Sequence, residues 1–159
     1  MQEFVSESEE LTLALGERLA SLLPGGSVVA LVGDLGCGKT VLSRGIARGL
    51  GIAEAVTSPT FTVAQEYRRP DGQYLYHLDM YRIPDENAAL AFGIDEFLFQ
   101  PNAVTLVEWP EQIPALLARP QLRTIRLRHL AEGRRAIAFE NWPDEAALQL
   151  AINQSRTHD

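Results

Sequence analysis

Lysine is almost absent from this chain. Of its 14 cationic side chains, 13 are arginine, and the single lysine is Lys39. A general preference for arginine accounts for the thirteen but not for where the exception falls. Cysteine is as scarce: Cys37 stands alone, which excludes an internal disulfide. No apolar run approaches the ~20 residues of a membrane-crossing helix. The start, Met1-Gln2-Glu3-Phe4-Val5, lacks the basic stretch and apolar run of a secretory signal. Basic charge is also short: the formal net charge is −7, so the overall field does not favour nucleic acid, and any RNA would be held by a partner. These shortages lead us to expect a cytoplasmic protein.

What is present is ordinary for a globular chain. The 159 residues are 46% hydrophobic and 22% charged, which suits one domain over 1–159 with a real core. Ser6 and Glu9 have capping-box spacing ahead of an apolar stripe at Leu11, Leu15, Leu19 and Leu22, so a helix is expected from Ser8 to Leu23, ended by Pro24-Gly25-Gly26. Ser27 to Val32 is nearly all apolar, as in a strand buried on both faces. A glycine-rich turn and a helix from Lys39 to Leu50 follow. Thr57 to Thr60 reads as a loop. Phe61–Tyr67 and Tyr74–Asp79, separated by Pro70-Asp71-Gly72, read as a hairpin. A helix opens at Pro84, a further turn is expected at Asp95–Phe99, and Ala103–Val107 is a second buried strand. Leu122–Leu130 and Arg135–Phe139 are strands around Glu132-Gly133, and a last helix runs from Asp144 to Ser155. The sum is an α/β, three-layer, P-loop NTPase-like domain with a mixed, mainly parallel sheet and an antiparallel hairpin.

Lys39 completes a pattern. Gly33-Asp34-Leu35-Gly36-Cys37-Gly38-Lys39-Thr40 fits G-x-x-x-x-G-K-S/T at every fixed position, between an expected strand and an expected helix. Such a loop turns backbone N–H groups inward around phosphate oxygens, and the helix behind it presents its positive end to the same anion. The nucleotide is therefore expected along Gly33 to Val41. Lys39 is expected on its outer phosphates, and the Thr40 hydroxyl on Mg²⁺. A glycine-rich turn with a chance lysine is the competing reading, and the strand–loop–helix context disfavours it.

A phosphate loop with Mg²⁺ calls for an acid at the end of a second strand. Glu108 follows Val104-Thr105-Leu106-Val107, and Asp79 follows Tyr74-Leu75-Tyr76-His77-Leu78. Glu108 ends the more apolar strand and is assigned to the metal. Asp79 is assigned to the attacking water or the metal's outer shell. The residues alone leave the reverse assignment open. Lys39, Asp79 and Glu108 are the candidate catalytic set. Thr60 is a candidate switch threonine for the γ-phosphate, or an ordinary loop residue. Cys37, close to Lys39 and to a helix N-terminus, is expected to be a thiolate-prone, nucleotide-protected thiol.

The loop, Ser58-Pro59-Thr60-Phe61, His77-Leu78-Asp79-Met80-Tyr81-Arg82 and Val107-Glu108-Trp109-Pro110 come in the order and spacing of the TsaE family, which the chain resembles over nearly its whole length. The resemblance implies a cytoplasmic ATPase that uses ATP and Mg²⁺ and works with the TsaB and TsaD subunits in threonylcarbamoyladenosine modification of tRNA, meeting tRNA only through that complex. It implies metal binding by Thr40 and Glu108 and a functional role for Asp79 and Trp109. Cys37 departs from the pattern, which favours a small residue such as alanine there.

Other residues are less decided. His77 lies inside an apolar strand and reads as structural. Trp109 is either packing or a switch or partner contact. Arg119, Arg123, Arg126, Arg128, Arg134 and Arg135 read as a solvated strand face or a docking patch, with Arg134 a candidate to stack on adenine. No arginine occupies a recognisable finger position, Arg82 excepted as a contributor in cis, so slow turnover in isolation is expected. A GTPase would carry Asn-Lys-x-Asp, which a chain whose one lysine is in the loop cannot have. The alternatives left are a small-molecule P-loop kinase, with the Arg119–Arg135 region as its lid, and a nucleotide-gated binding module.

Overall fold

The apolar run after Gly26 and the one after Asn102 become adjacent parallel strands at the centre of a seven-stranded sheet. The computed structural model describes residues 2–34, 37–54, 56 and 63–156. Its strands are β1 (Gln2–Ser6), β2 (Val28–Val32), β3 (Ala64–Arg68), β4 (Tyr74–Asp79), β5 (Ala103–Glu108), β6 (Arg123–Ala131) and β7 (Arg134–Glu140). Their order across the sheet is β1-β7-β6-β2-β5-β4-β3. The four middle strands, β6, β2, β5 and β4, are parallel, and β7, β1 and β3 add antiparallel edges. This is the expected mixed sheet.

Helices cover both faces, as a parallel sheet requires. On one side lie α1 (Glu9–Leu19), α2 (Lys39–Gly49) and the last helix. Leu15, Leu19, Leu42, Ile46 and Ile152 pack there on Val29, Leu31, Leu106, Ile125 and Ile137. On the other side lie α3 (Glu86–Ala91) and α4 (Pro114–Leu117), with Ala89, Ile113 and Leu117 packing on Val28, Leu78 and Val107. The last helix is α5 (Glu145–Arg156). Each fully buried Leu or Ile contributes about 1.5–3 kcal/mol.

Helices α1 and α2 run side by side in the same direction at backbone contact. A Cβ on Gly16 would lie 2.6 Å from the Leu42 carbonyl oxygen, and one on Gly45 would lie 2.3 Å from the Leu13 carbonyl oxygen. No larger residue fits either place without parting the helices.

The element boundaries correct three expectations. The cap of α1 is Ser8, whose side chain accepts from Leu11 N; Ser6 instead ends β1 and bonds Thr12 through its hydroxyl, 2.7 Å apart. The helix expected to reach Leu23 tightens to a 3₁₀ turn at Ala20–Leu22. Strand β1 is an addition: it is five residues long and forms through its pairing with β7. The expected loop Thr57–Thr60 and the first part of the expected strand from Phe61 lie outside the described residues. Among the described residues no helix is long and apolar enough to cross a membrane.

Candidate functional site

Ligands of open α/β sheets sit beyond the carboxyl ends of the parallel strands, and the sequence motifs collect there. The glycine-rich loop leaves β2 directly after Val32 and enters α2 at Lys39. In β5, Glu108 lies in register with Leu31 of β2 on one side and with Asp79 of β4 on the other. Side chains alternate along a strand. Asp79 and His77 therefore share a face with the core residue Leu75, and Glu108 shares one with Leu106, which is the face that α2 covers.

The two neighbouring helices treat their positive ends in opposite ways. Ser8 caps α1, and Glu9 and Glu10 occupy its first turn. The cap of α2 is Gly38, with φ +105°, no side-chain bond and no acid in the first turn. The N-terminus of α2 is thus left open, which suits a phosphate.

Lys39 is buried among these groups. Its Nζ donates to the Gly33 carbonyl at 2.6 Å and lies 4.4 Å from the centroid of the Trp109 ring. Trp109 takes φ +56°, a left-handed conformation costly for a bulky residue, and Tyr81 packs against its ring at 5.0 Å. The αL turn stops β5 at Glu108 and folds the indole back over the amine.

His77 Nε2 lies 2.6 Å from Glu108 Oε2 and donates to it; both side chains are buried. His77 Nδ1 is also buried and has no hydrogen-bond partner among the described residues. Asp79 is half-buried, and its Oδ1 accepts from Tyr81 N at 2.9 Å. Burial raises the Asp79 pKa above its ordinary value, and the Glu108 charge adds to the rise. The Tyr81 N–H bond, His77 and Lys39 oppose it. A half-buried carboxyl held above its usual range beside a second carboxylate is the pattern of a functional acid.

The residues fit Mg²⁺ with a nucleotide. Thr40 is the second residue of α2, and Glu108 keeps Oε1 clear of the His77 bond. Among the described residues no three His, Cys, Asp or Glu side chains converge as a metal nest. One hydroxyl and one carboxylate, completed by phosphate and water oxygens, is the ligand set Mg²⁺ commonly takes.

The structure therefore brings together Gly33, Gly38, Lys39, Thr40, Val41, Asp79 and Glu108, and adds His77 and Trp109. Asp34 is exposed at the loop's start, its carbonyl accepting from Cys37 N. Leu35, Gly36 and Thr60 lie outside the described residues. Cys37 needs correction. Its side chain is 2% exposed, joins the core on the α1–α2 face and lies against Gly33, and burial raises its pKa despite nearby Lys39. The thiol is turned inward, into the core between α1 and α2.

The arginines between 119 and 135 form no single patch. Arg119, ahead of β6, lies over the Phe99 ring, and Arg123, the first residue of β6, is buried with Nη1 donating to Ser27 Oγ. Arg126 pairs with Glu140. Arg134 and Arg135 begin β7, next to the far end of β6, roughly 25 Å away at a strand's rise per residue. Arg134 pairs with Glu7 at 2.7 Å, so its guanidinium is engaged rather than free for a base. Arg135, expected only as part of a solvated face or docking patch, is instead buried, with its guanidinium against Gly38. Arg44 donates to the Val56 carbonyl and Arg48 lies 3.7 Å from Glu17, so both point away from the loop. Arg82 is exposed and lines an apolar cleft of about 530 Å³ with Ile83, Phe92 and Phe97.

Known proteins resemble this chain over most of its length. The profile of the family described as "Threonylcarbamoyl adenosine biosynthesis protein TsaE" matches residues 6–137. The Bacillus subtilis tRNA threonylcarbamoyladenosine biosynthesis protein TsaE is 41% identical over 131 residues, 82% of this chain and 79% of the relative. The Treponema pallidum protein of the same name is 40% identical over 134 residues, 84% of this chain and 96% of the relative. Among solved structures, the crystal structure of Bacillus subtilis YdiB superposes with a TM-score of 0.67 at 29% identity, covering 99% of this chain and 95% of that one. With its G-x-x-x-x-G-K-T loop, its strand-end carboxylates in register and these likenesses in view, the chain belongs to the TsaE family.

Proposed function

We propose that this chain is a magnesium-dependent ATPase that supports threonylcarbamoyladenosine modification of tRNA by acting on the TsaB–TsaD transferase. One observation carries the hydrolytic half of the reading. A buried amine, an uncapped helix N-terminus and two carboxylates from neighbouring strands meet at one sheet edge. The names of the relatives carry the tRNA half.

Mg²⁺ bound at the site would offset phosphate charge and hold the oxygens in line. Thr40 and Glu108 would hold it. His77 fixes one Glu108 oxygen and so aims the other. Lys39 exchanges the Gly33 carbonyl and the Trp109 face for phosphate oxygens. Asp79, with its raised pKa, is suited to accept a proton or hydrogen bond from the attacking water. Arg44 and Arg48 are turned away, and Arg82 is exposed on a cleft. An arginine finger is worth roughly 10³–10⁵ in rate where present, so the isolated chain hydrolyses ATP slowly.

The test is steady-state ADP release by the purified chain, then with TsaB and TsaD added together, then with tRNA alone. The expected result is a low basal rate, raised by the two proteins and little changed by tRNA. Fast hydrolysis that the two proteins leave unchanged refutes the reading.

A further inference from the structure

Arg135 begins the inner face of β7 at the end of the sheet that carries the phosphate loop. Its backbone pairs with Ser6 of β1 and with His129 of β6. Its side chain is 5% exposed and turns toward α2, on the same face as Ile137 and Phe139. The guanidinium lies against Gly38, the cap of that helix. A Cβ on Gly38 would meet Nη1 at 2.1 Å and Cζ at 3.0 Å. Glycine at this position is what lets the arginine reach the loop.

This is a costly place for a cation. A buried guanidinium is destabilising unless it is paired, and Arg135 has no hydrogen bond or ion pair among the described residues; its Nε is buried and unpartnered. The acid next to its register partner Ser6 is Glu7, and Glu7 is taken by Arg134. The guanidinium also faces the positive end of α2, where cations are disfavoured, one residue from Lys39. Three sources of positive potential converge with no carboxylate paired to Arg135. An anion placed there relieves all three at once.

We propose that Arg135 is a second cationic phosphate-binding side chain, which closes on the α- and β-phosphates of a nucleoside di- or triphosphate from the β7 side of the loop. The proposal rests on the nucleotide reading above. The two cations would bracket the loop. Lys39 stands on the β5 side, under Trp109, and Arg135 on the β6–β7 side, beside Gly38. The planar fork suits two phosphate oxygens at once, which an ammonium does not. Strand alternation decides which of the adjacent arginines serves: Arg134 faces out to Glu7, and Arg135 faces in.

The test compares wild type, Arg135→Met, Arg135→Lys and Lys39→Ala by calorimetric ADP binding and by ligand-free thermal unfolding. Methionine keeps the apolar stem and removes the charge. Arg135→Met should bind ADP roughly 10- to 100-fold more weakly, with a ligand-free Tm equal to or above wild type because an uncompensated charge has gone. Arg135→Lys, which keeps the charge but not the fork, should lie between. A lower Tm for Arg135→Met with ADP affinity unchanged makes Arg135 a packing residue and overturns the proposal. If Arg135→Met does not fold, Arg135→Lys decides: weaker ADP binding at an unchanged Tm supports the role, and equal binding removes it. If wild type itself fails to bind ADP, or Lys39→Ala binds it as well as wild type does, the nucleotide reading falls along with the proposal. If those two behave as expected and only the Arg135 variants match wild type, Arg135 alone is discharged.

Discussion

His77 and Glu108, 31 residues apart in sequence, are joined by a 2.6 Å bond between Nε2 and Oε2 that is closed to solvent. Replacing His77 with leucine leaves a buried carboxylate without its donor, at a cost of about 1–3 kcal/mol. It also frees the Glu108 side chain to turn. We expect a lowered Tm and, in the folded fraction, Mg²⁺ affinity weakened roughly 10- to 100-fold. His77→Gln keeps a donor and should recover part of both. Thermal unfolding and a Mg²⁺ titration of nucleotide binding report the two effects separately. A His77→Leu variant with normal Mg²⁺ dependence would limit the histidine to packing.

Asp79 carries a pH signature of its own. Its folded pKa is raised above the ordinary value of 3.8, first by burial. Between those two pKa values the native state keeps a proton that the unfolded chain has lost, so stability falls as pH rises through the window. At neutral pH the ionised Asp79 is a net cost to the ligand-free fold. Asp79→Asn should therefore raise the ligand-free Tm at pH 7, and the gain should shrink as pH falls toward 4. The same variant should bind ATP while losing turnover. A lowered Tm at pH 7 would contradict the burial argument.

Lys39→Ala removes a charge-assisted phosphate contact worth roughly 1.5–3 kcal/mol, so nucleotide affinity should fall about 10- to 150-fold and hydrolysis should cease. Lys39→Arg should fail as well. The Nζ sits in a slot between the Gly33 carbonyl and the Trp109 ring that a planar fork overfills. Calorimetry and ADP release measure both, and substantial turnover by the arginine variant would refute the slot geometry.

Cys37 should be nearly inert to alkylation in the folded protein, with or without Mg-ATP. It is buried against Gly33, and its pKa is raised. Labelling should appear only as the chain unfolds. Mass spectrometry of native labelling checks this, and rapid modification slowed by nucleotide would restore the exposed thiolate expected from its position in the loop.

The contrast between Cys37 and Lys39 marks how far the sequence could be read. Fixed spacing identified the loop, and apolar runs identified β2 and β5, because both signals are local. The pairing of β4 with β5 is not local, so two strand-end acids could be named while their division of labour could not. It also hid the role of His77: a histidine inside an apolar strand reads as core until the register sets Glu108 two residues past its partner Leu106. Strand β1 was missed because five residues of mixed character become a strand only against β7. Arg134 and Arg135 show the limit most plainly. Composition cannot tell which of two adjacent arginines faces inward, and the pleat can.

The backbone contact of Gly16 and Gly45 has a mechanical consequence. Two helices touching main chain to main chain have no compliant side chains between them to absorb a displacement, so α1 and α2 behave as one stiff bar. A shift of the phosphates against the start of α2 would not dissipate at that helix. It would tilt the bar, and the cap of α1, Ser8, directly follows Glu7, whose carboxylate is tethered to Arg134 at the surface. A load at the start of α2 would thereby reach an exposed ion pair on the far edge of the sheet.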